Sequence, residues 1–259
     1  MSQYPIVLIS GWAMPAGVME ALADALDAEH RRVSIVQLPG LVMESEAYKV
    51  DYDWGSLLGY LDQQLFEKPV VLVGWSLGGV LATLFASRYP DKVSAVVNIA
   101  TNACFVKHHD WPEAMDSSLF SSFYEGMAQS HEKTLQQFSL LCSSGSSMRK
   151  EQTRQLQALI SDTDIELDIL QRLLEMLGKS DIRSALSDIR CPVTHLFGKD
   201  DALVPTAAAI SMEQLFPGHR VQVFDGGHGF FMDDPAPVVR EIQRLSHEKI
   251  ARNKQSHPA

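Results

Sequence analysis

Pro69-Val70-Val71-Leu72-Val73-Gly74 runs without a break into Trp75-Ser76-Leu77-Gly78-Gly79. The first six residues are a short apolar, β-branched run of the kind that forms a buried strand. The next residues complete the pattern G-x-S-x-G around Ser76, and Gly78 to Arg88 continues with apolar residues at helical spacing. A strand, a tight turn and a helix in this order are the context in which G-x-S-x-G carries a nucleophile. Small residues two positions either side of the serine let strand and helix backbones approach closely. The turn lifts the hydroxyl to a helix N-terminus, where N–H groups and the dipole favour developing negative charge. Outside that context the pentapeptide would mean little, since glycine and serine are common.

Working outward, Pro5–Ser10 and Val33–Leu38 read as strands before the motif, and Val93–Ala100 as one after it. Met19–Leu26 and Trp54–Leu65 read as the helices between them. From about 105 to 185 the strand rhythm stops. Helical patterns near 117–128, 131–142, 150–160 and 165–177 replace it, with the small-polar stretch Ser143-Ser144-Gly145-Ser146-Ser147 in the middle. Strands return at Pro192–Phe197 and Val221–Phe224, and a last helix covers about Pro237–Ile250 before a frayed tail. Strands alternating with helices imply an α/β fold with a mostly parallel sheet and helices on both faces. The expected division is a core of residues 1–104 and 186–259 with a helical cap inserted at 105–185.

Composition agrees with one globular unit: 259 residues, 46% apolar and 21% charged. The net charge of −10 argues against non-specific nucleic-acid binding, which needs clustered cations. Cys104, Cys142 and Cys191 are odd in number and lack metal-site spacing, so they read as reduced thiols. The N-terminal MSQYPIVLIS has no basic n-region and its apolar run is too short to span a bilayer. The expectation is a soluble, cytoplasmic protein without membrane partners.

A serine hydroxyl needs a base to attack at neutral pH. His228, flanked by glycines in Gly226-Gly227-His228-Gly229 and following a strand, is the candidate. His30, His219, His247 and His257 sit in polar contexts and read as surface groups, while His195 lies within a strand and reads as packed core. The imidazole needs a carboxylate to set its tautomer. Strand 192–197 leads into Gly198-Lys199-Asp200-Asp201, which offers two, in the chain order Ser, Asp, His that an α/β-hydrolase uses. An oxyanion hole needs two N–H donors. One is expected from Leu77, directly after the nucleophile, and one from Trp12 in the loop Ser10-Gly11-Trp12-Ala13. Such a site hydrolyses an ester through an acyl-enzyme with no metal or organic cofactor. A non-catalytic binding protein on the same fold is the alternative from a different class.

Three stretches also resemble the pimeloyl-acyl-carrier-protein methyl ester esterases of biotin synthesis, α/β-hydrolases. They are Gly74–Gly79, then Ile99–Phe105 with Asp110-Trp111-Pro112, and Gly198–Pro205. The resemblance implies Asp201 as the carboxylate, four residues before Pro205, and a methyl ester of a carrier-bound pimeloyl chain as substrate. It implies that Phe138 lines the acyl channel, with Trp12, Ser76, Leu77, Cys142 and His228 completing the substrate-binding residues. It further implies an acyl carrier protein partner met by cap cations, at Lys133, Arg149, Lys150 and Arg154, on a chain expected to be a monomer. Gln137 stands at one position where the family has arginine, and Ser10 where the family usually has histidine. A general short-acyl esterase or a C–C bond hydrolase of the same fold is the alternative.

Overall fold

The computed structural model describes residues 4–28, 32–41, 52–65, 69–164 and 166–245. Its six strands are β1 (Ile6–Ile9), β2 (Val33–Val36), β3 (Val70–Trp75), β4 (Val93–Ile99), β5 (Val193–Gly198) and β6 (Arg220–Phe224). They form one sheet in the order β2-β1-β3-β4-β5-β6, and every neighbouring pair is parallel. Every residue of β1, β3, β4 and β5 is buried, which is why none of them shows a polar face; β1 and β3 are unbroken apolar runs, while β4 buries Ser94 and Asn98 and β5 buries Thr194 and His195. The strand order reverses between β1 and β3. A crevice therefore opens beyond the carboxyl ends of those two strands, where open α/β sheets bind ligands.

Between the strands run α1 (Glu20–Asp27), α2 (Trp54–Gln64) and α3 (Leu77–Arg88). Asp53 caps α2 by accepting from the Ser56 amide at 2.7 Å. Helix α3 is apolar nearly all round, with nine buried residues, because it packs on β3 and β4 and is overlaid in turn by α2 and α7 (Arg183–Asp188).

The block between β4 and β5 is helical, as the sequence pattern indicates. The expected helices at 117–128 and 131–142 are both present and follow one another within α4 (Ser117–Cys142), parted by a kink where Ser130 leaves helical geometry at φ −159 and ψ 74. Helices α5 (Arg149–Ser161) and α6 (Leu167–Gly178) both pack on α4. The block closes at a neck. Cys104 pairs with Asp181 as an antiparallel bridge, and the Ile182 amide donates to Ala103 O at 2.9 Å. Arg183 reaches Asp181 at 2.6 Å and Asp110 at 2.9 Å and lies over the Trp111 ring; Trp111 Nε1 donates to Asn102 Oδ1 at 3.0 Å. Helix α7 follows this neck and packs on α3.

Neither α7 nor α8 (Ala207–Leu215) is visible as a sequence pattern: the first is one and a half turns long, and the second has little amphipathic contrast. Helix α9 (Phe230–Asp233) follows the His228 turn, and residues 236–245 are helical. The rest of the expected last helix, the tail and the histidines His30, His247 and His257 lie outside the described residues. Strand β4 ends at Ile99 rather than Ala100, which turns to φ +47. His219 is not a surface group. It is half-buried, stacks on Phe216, and its Nδ1 lies 3.1 Å from Nε2 of the fully buried His195. Among the described residues Cys104 and Cys142 are free and buried, and no helix is long and apolar enough to cross a membrane.

Candidate active site

Ser76 sits between β3 and α3 at φ +55 and ψ −117, a conformation that costs a non-glycine residue about 1–3 kcal/mol. The surroundings over-determine it. The Ser76 amide donates to Ile99 O at 2.9 Å, and its carbonyl accepts from the amides of Gly79 at 3.0 Å and Val80 at 3.2 Å. The Thr101 hydroxyl lies 3.1 Å from the same carbonyl. A Cβ at Gly74 would collide with the backbone of Gly78 and Gly79, and one at Gly78 with the carbonyls of Ile9 and Ser10. Three non-glycine residues have positive φ among those described: Ala13, Ser76 and Ala100. All three follow the carboxyl ends of the adjoining strands β1, β3 and β4, so the strain gathers at the crevice.

The loop after β1 lies against the elbow, since a Cβ at Gly11 would sit 3.3 Å from Ser76 Cβ. Leu77, first residue of α3, has no acceptor for its amide within the helix. Among the described residues the amides of Trp12 and Leu77 donate to no backbone carbonyl. The Trp12 ring is buried, its Nε1 donating to Leu170 O on α6 at 2.8 Å, so the loop after β1 is pinned to α6. Ser10 is fully buried and its hydroxyl has no partner among the described residues.

His228 and Asp201 are both fully buried, and His228 Nδ1 lies 2.8 Å from Asp201 Oδ2. The other carboxylate oxygen accepts from the amides of Leu203 at 2.8 Å and Val204 at 2.9 Å. Asp201 therefore spends both oxygens, one on fixing its own loop and one on the imidazole. Asp200, the rival in sequence, is exposed. His228 Nε2 is buried and has no hydrogen-bond partner among the described residues. Trp75, the elbow residue directly before Ser76, donates its Nε1 to His228 O at 2.9 Å and lies against the imidazole, so elbow and histidine loop are directly tied.

A narrow cavity opens on Ser76. Trp12, Phe105, Met115, Phe123, Phe138 and Leu174 are among its walls; no charged side chain lines it, and Ser76 is its one polar residue among those described. Phe138 packs edge-on against Trp12 with centroids 4.9 Å apart, and Phe123 against both. Phe123 and Phe120 were not picked out by pattern, although their three-residue spacing on one helix marks them as a shared face. A more open cleft between α4 and α5, bordered by His131, Gln136 and Gln157, does not include Ser76. Cys142 is not in the cavity wall. Burial keeps its thiol well above the usual range, with the Asp201 charge adding to the effect, and its carbonyl accepts from the Gly229 amide at 3.2 Å.

Of the cations expected to meet a carrier protein, Lys133 is exposed on α4, while Arg149, Lys150 and Arg154 are exposed on α5. Arg154 is in a bidentate pair with Glu151, at 2.5 and 3.0 Å, and borders a cleft with Glu20 and Asp24 of α1.

The alpha/beta hydrolase family profile matches residues 6–241. The chain is 31% identical to a pimeloyl-acyl-carrier-protein methyl ester esterase of Xylella fastidiosa, across 93% of this chain and 94% of that one. It is 32% identical to a bifunctional biotin biosynthesis protein of Teredinibacter turnerae, covering 95% of this chain but 45% of that longer protein. Among solved structures, a bromoperoxidase from Bacillus anthracis superposes with a TM-score of 0.84 at 21% identity, covering 94% of this chain and 92% of that one. An esterase from Exiguobacterium antarcticum does so with a TM-score of 0.84 at 22% identity, covering 95% and 92%. At such identities these two speak for the fold alone. Through its sequence relatives, this chain belongs to the alpha/beta hydrolase family and, within it, to the pimeloyl-acyl-carrier-protein methyl ester esterases, which are carboxylic ester hydrolases.

Proposed function

We propose that this chain is a serine carboxylesterase that hydrolyses the methyl ester of a pimeloyl chain carried on an acyl carrier protein, in biotin biosynthesis. The observation that carries the reading is the cavity beside Ser76, whose walls hold no charge among the described residues. An aliphatic acyl chain fits such walls, gaining about 0.8 kcal/mol for each methylene taken from water. A methyl ester is neutral and can enter. The carboxylate left by hydrolysis would be buried there without a cation, which is costly, so product release is favoured.

Ser76 Oγ attacks the ester carbonyl while His228 Nε2 takes its proton; Nδ1 is already committed to Asp201, which fixes the tautomer. The amides of Trp12 and Leu77 receive the oxyanion. Methanol leaves with the proton from His228, and water, activated by the same imidazole, releases the acid from Ser76. Residues 105–185 act as a cap whose α4 and α6 side chains cover the acyl chain. The carrier docks on exposed cap cations, with Lys133, Arg149 and Lys150 contributing more than Arg154, whose charge Glu151 already neutralises. The enzyme works as a monomer in the cytoplasm, apart from nucleic acid.

The test compares hydrolysis of the carrier-bound pimeloyl methyl ester with the same ester off the carrier, for the wild type and Ser76→Ala. A kcat/KM at least tenfold higher on the carrier, abolished in Ser76→Ala, is expected. Equal rates on both substrates would make this a general acyl esterase. Retained activity in Ser76→Ala would overturn the mechanism.

A further inference from the structure

The turn between α4 and α5 is the small-polar stretch 143–147, and it is packed onto both loops that carry the Asp201–His228 pair. A Cβ at Gly145, which has φ +84, would sit 2.6 Å from Asp200 Cβ, and one at Gly227 would strike Ser144 O. The Cys142 carbonyl accepts from the Gly229 amide at 3.2 Å. Gln152, on the first turn of α5, is 2% exposed, and its Nε2 donates to Gly229 O at 3.0 Å and to Asp233 Oδ1 at 2.9 Å. Both neighbours are acceptors, so the orientation of the amide is settled. Its Oε1 is buried without a partner among the described residues. An orphaned buried acceptor is a standing cost that a side chain held only for packing would not need.

We infer that Gln152 is a positioning residue for the reaction: from the cap, it holds the loop that carries His228 at the height where Nε2 can serve Ser76. The inference rests on the proposed roles of Ser76, His228 and Asp201. Two independent holds then fix the histidine. Trp75 grips its carbonyl from the core, and Gln152 together with Cys142 O grips the next residue from the cap. A cap that lifts away releases the second hold, so the base comes into register only under a seated cap. Cap position and base geometry become one coupled variable.

The experiment uses the full chain and p-nitrophenyl acetate, a small ester that does not depend on carrier docking. Gln152→Leu keeps the volume and removes the donor. Gln152→Glu keeps the shape and turns an acceptor toward the Gly229 carbonyl and the Asp233 carboxylate. Expected is a kcat lowered about tenfold in Gln152→Leu and further in Gln152→Glu, with KM within twofold. The downfield proton resonance of His228 Nδ1–H should broaden or move in both. Asp233→Ala removes one acceptor at an exposed position, so it folds even where a core change does not, and a severalfold loss of kcat is expected. Wild-type kcat and an unmoved resonance in folded Gln152→Leu, or in Asp233→Ala should the former not fold, would reduce the contact to packing and overturn the inference. Ser76→Ala runs in parallel. If it is inactive while the Gln152 variants are normal, only the positioning role fails; if it stays active, the mechanism itself fails.

Discussion

Around Ser76 the chain is held by its own backbone. Two carbonyl–amide bonds close the elbow onto α3, one amide reaches β4, and glycines at 74 and 78 allow strand, helix and β1 to touch. Around His228 the holding groups come from far along the chain. They are the Trp75 indole, the Cys142 carbonyl, the Gln152 amide and the Asp201 carboxylate. One half of the proposed catalytic machinery is built into a local turn, and the other half exists only while several distant segments are docked. The nucleophile should therefore tolerate no change in backbone volume, whereas the base should respond in degrees to side-chain changes around it.

The largest effect expected from this contrast is at the elbow. Gly78→Ala drives a Cβ into the carbonyls of Ile9 and Ser10, where no flexible side chain can yield. A loss of about 3 kcal/mol, at the top of the range usual for overpacking, is expected from such a collision, with a urea midpoint well below that of the wild type. A near-ultraviolet dichroism spectrum and urea transition like the wild type would break the claim that the backbone sets the elbow.

On the other side, Asp201→Asn should leave the fold in place and lower kcat on the order of 10⁴-fold, because the amide cannot hold the imidazole in the working tautomer. Asp200→Asn, on an exposed side chain, should stay within about twofold, as surface changes usually do. Similar losses in both variants would mean that the loop, rather than the one carboxylate, matters.

The smallest effect concerns the sheet edge beneath this half of the site. Burial holds His195 at about 3, and the same cause holds His219 at about 4, both below the ordinary range of an imidazole. The folded chain stays unprotonated at these positions while the unfolded chain takes up protons below about pH 6.5. Their stabilisation is complete above that pH and is lost progressively as the pH falls toward 4. For the fully buried His195 this amounts to about 1.4 kcal/mol per pH unit. Urea midpoints at pH 7.5 and 5.0 should fall less in His195→Leu than in the wild type. Hydrogen exchange at pH 5.0 should quicken on β5 and β6 before β3. Equal slopes in the two proteins would remove the histidine pair from the account.

Much of the core was legible because its information is local. The β-branched run at 69–74, the elbow and the apolar helix after it are consecutive, and the buried parallel strands β1 and β3 announce themselves as unbroken apolar stretches. The Asp-Asp pair was less legible. Sequence proximity cannot say which carboxylate turns inward, and residue spacing left both open until the resemblance favoured Asp201. Helix α8 has no clear signature in the sequence because burial on one side of an alanine-rich segment leaves little contrast. His219 was misread for a related reason: a polar sequence neighbourhood does not reveal that Phe216 and His195 close over the ring.

The amino-acid sequence by itself determined the alternation of strands and helices, the strained serine at a helix N-terminus and the order of the three candidate catalytic residues. These depend on side-chain periodicity and on glycine at two positions, which act over a few residues. Only the tertiary structure decided that the turn at 143–147 packs on the loops of Asp200 and Gly227, that the Cys142 carbonyl meets the Gly229 amide while its side chain stays out of the cavity beside Ser76, and that the Gln152 amide reaches Gly229 and Asp233. Those facts arise where segments dozens of residues apart come within hydrogen-bonding distance, and no local pattern records which buried amide will meet which distant carbonyl.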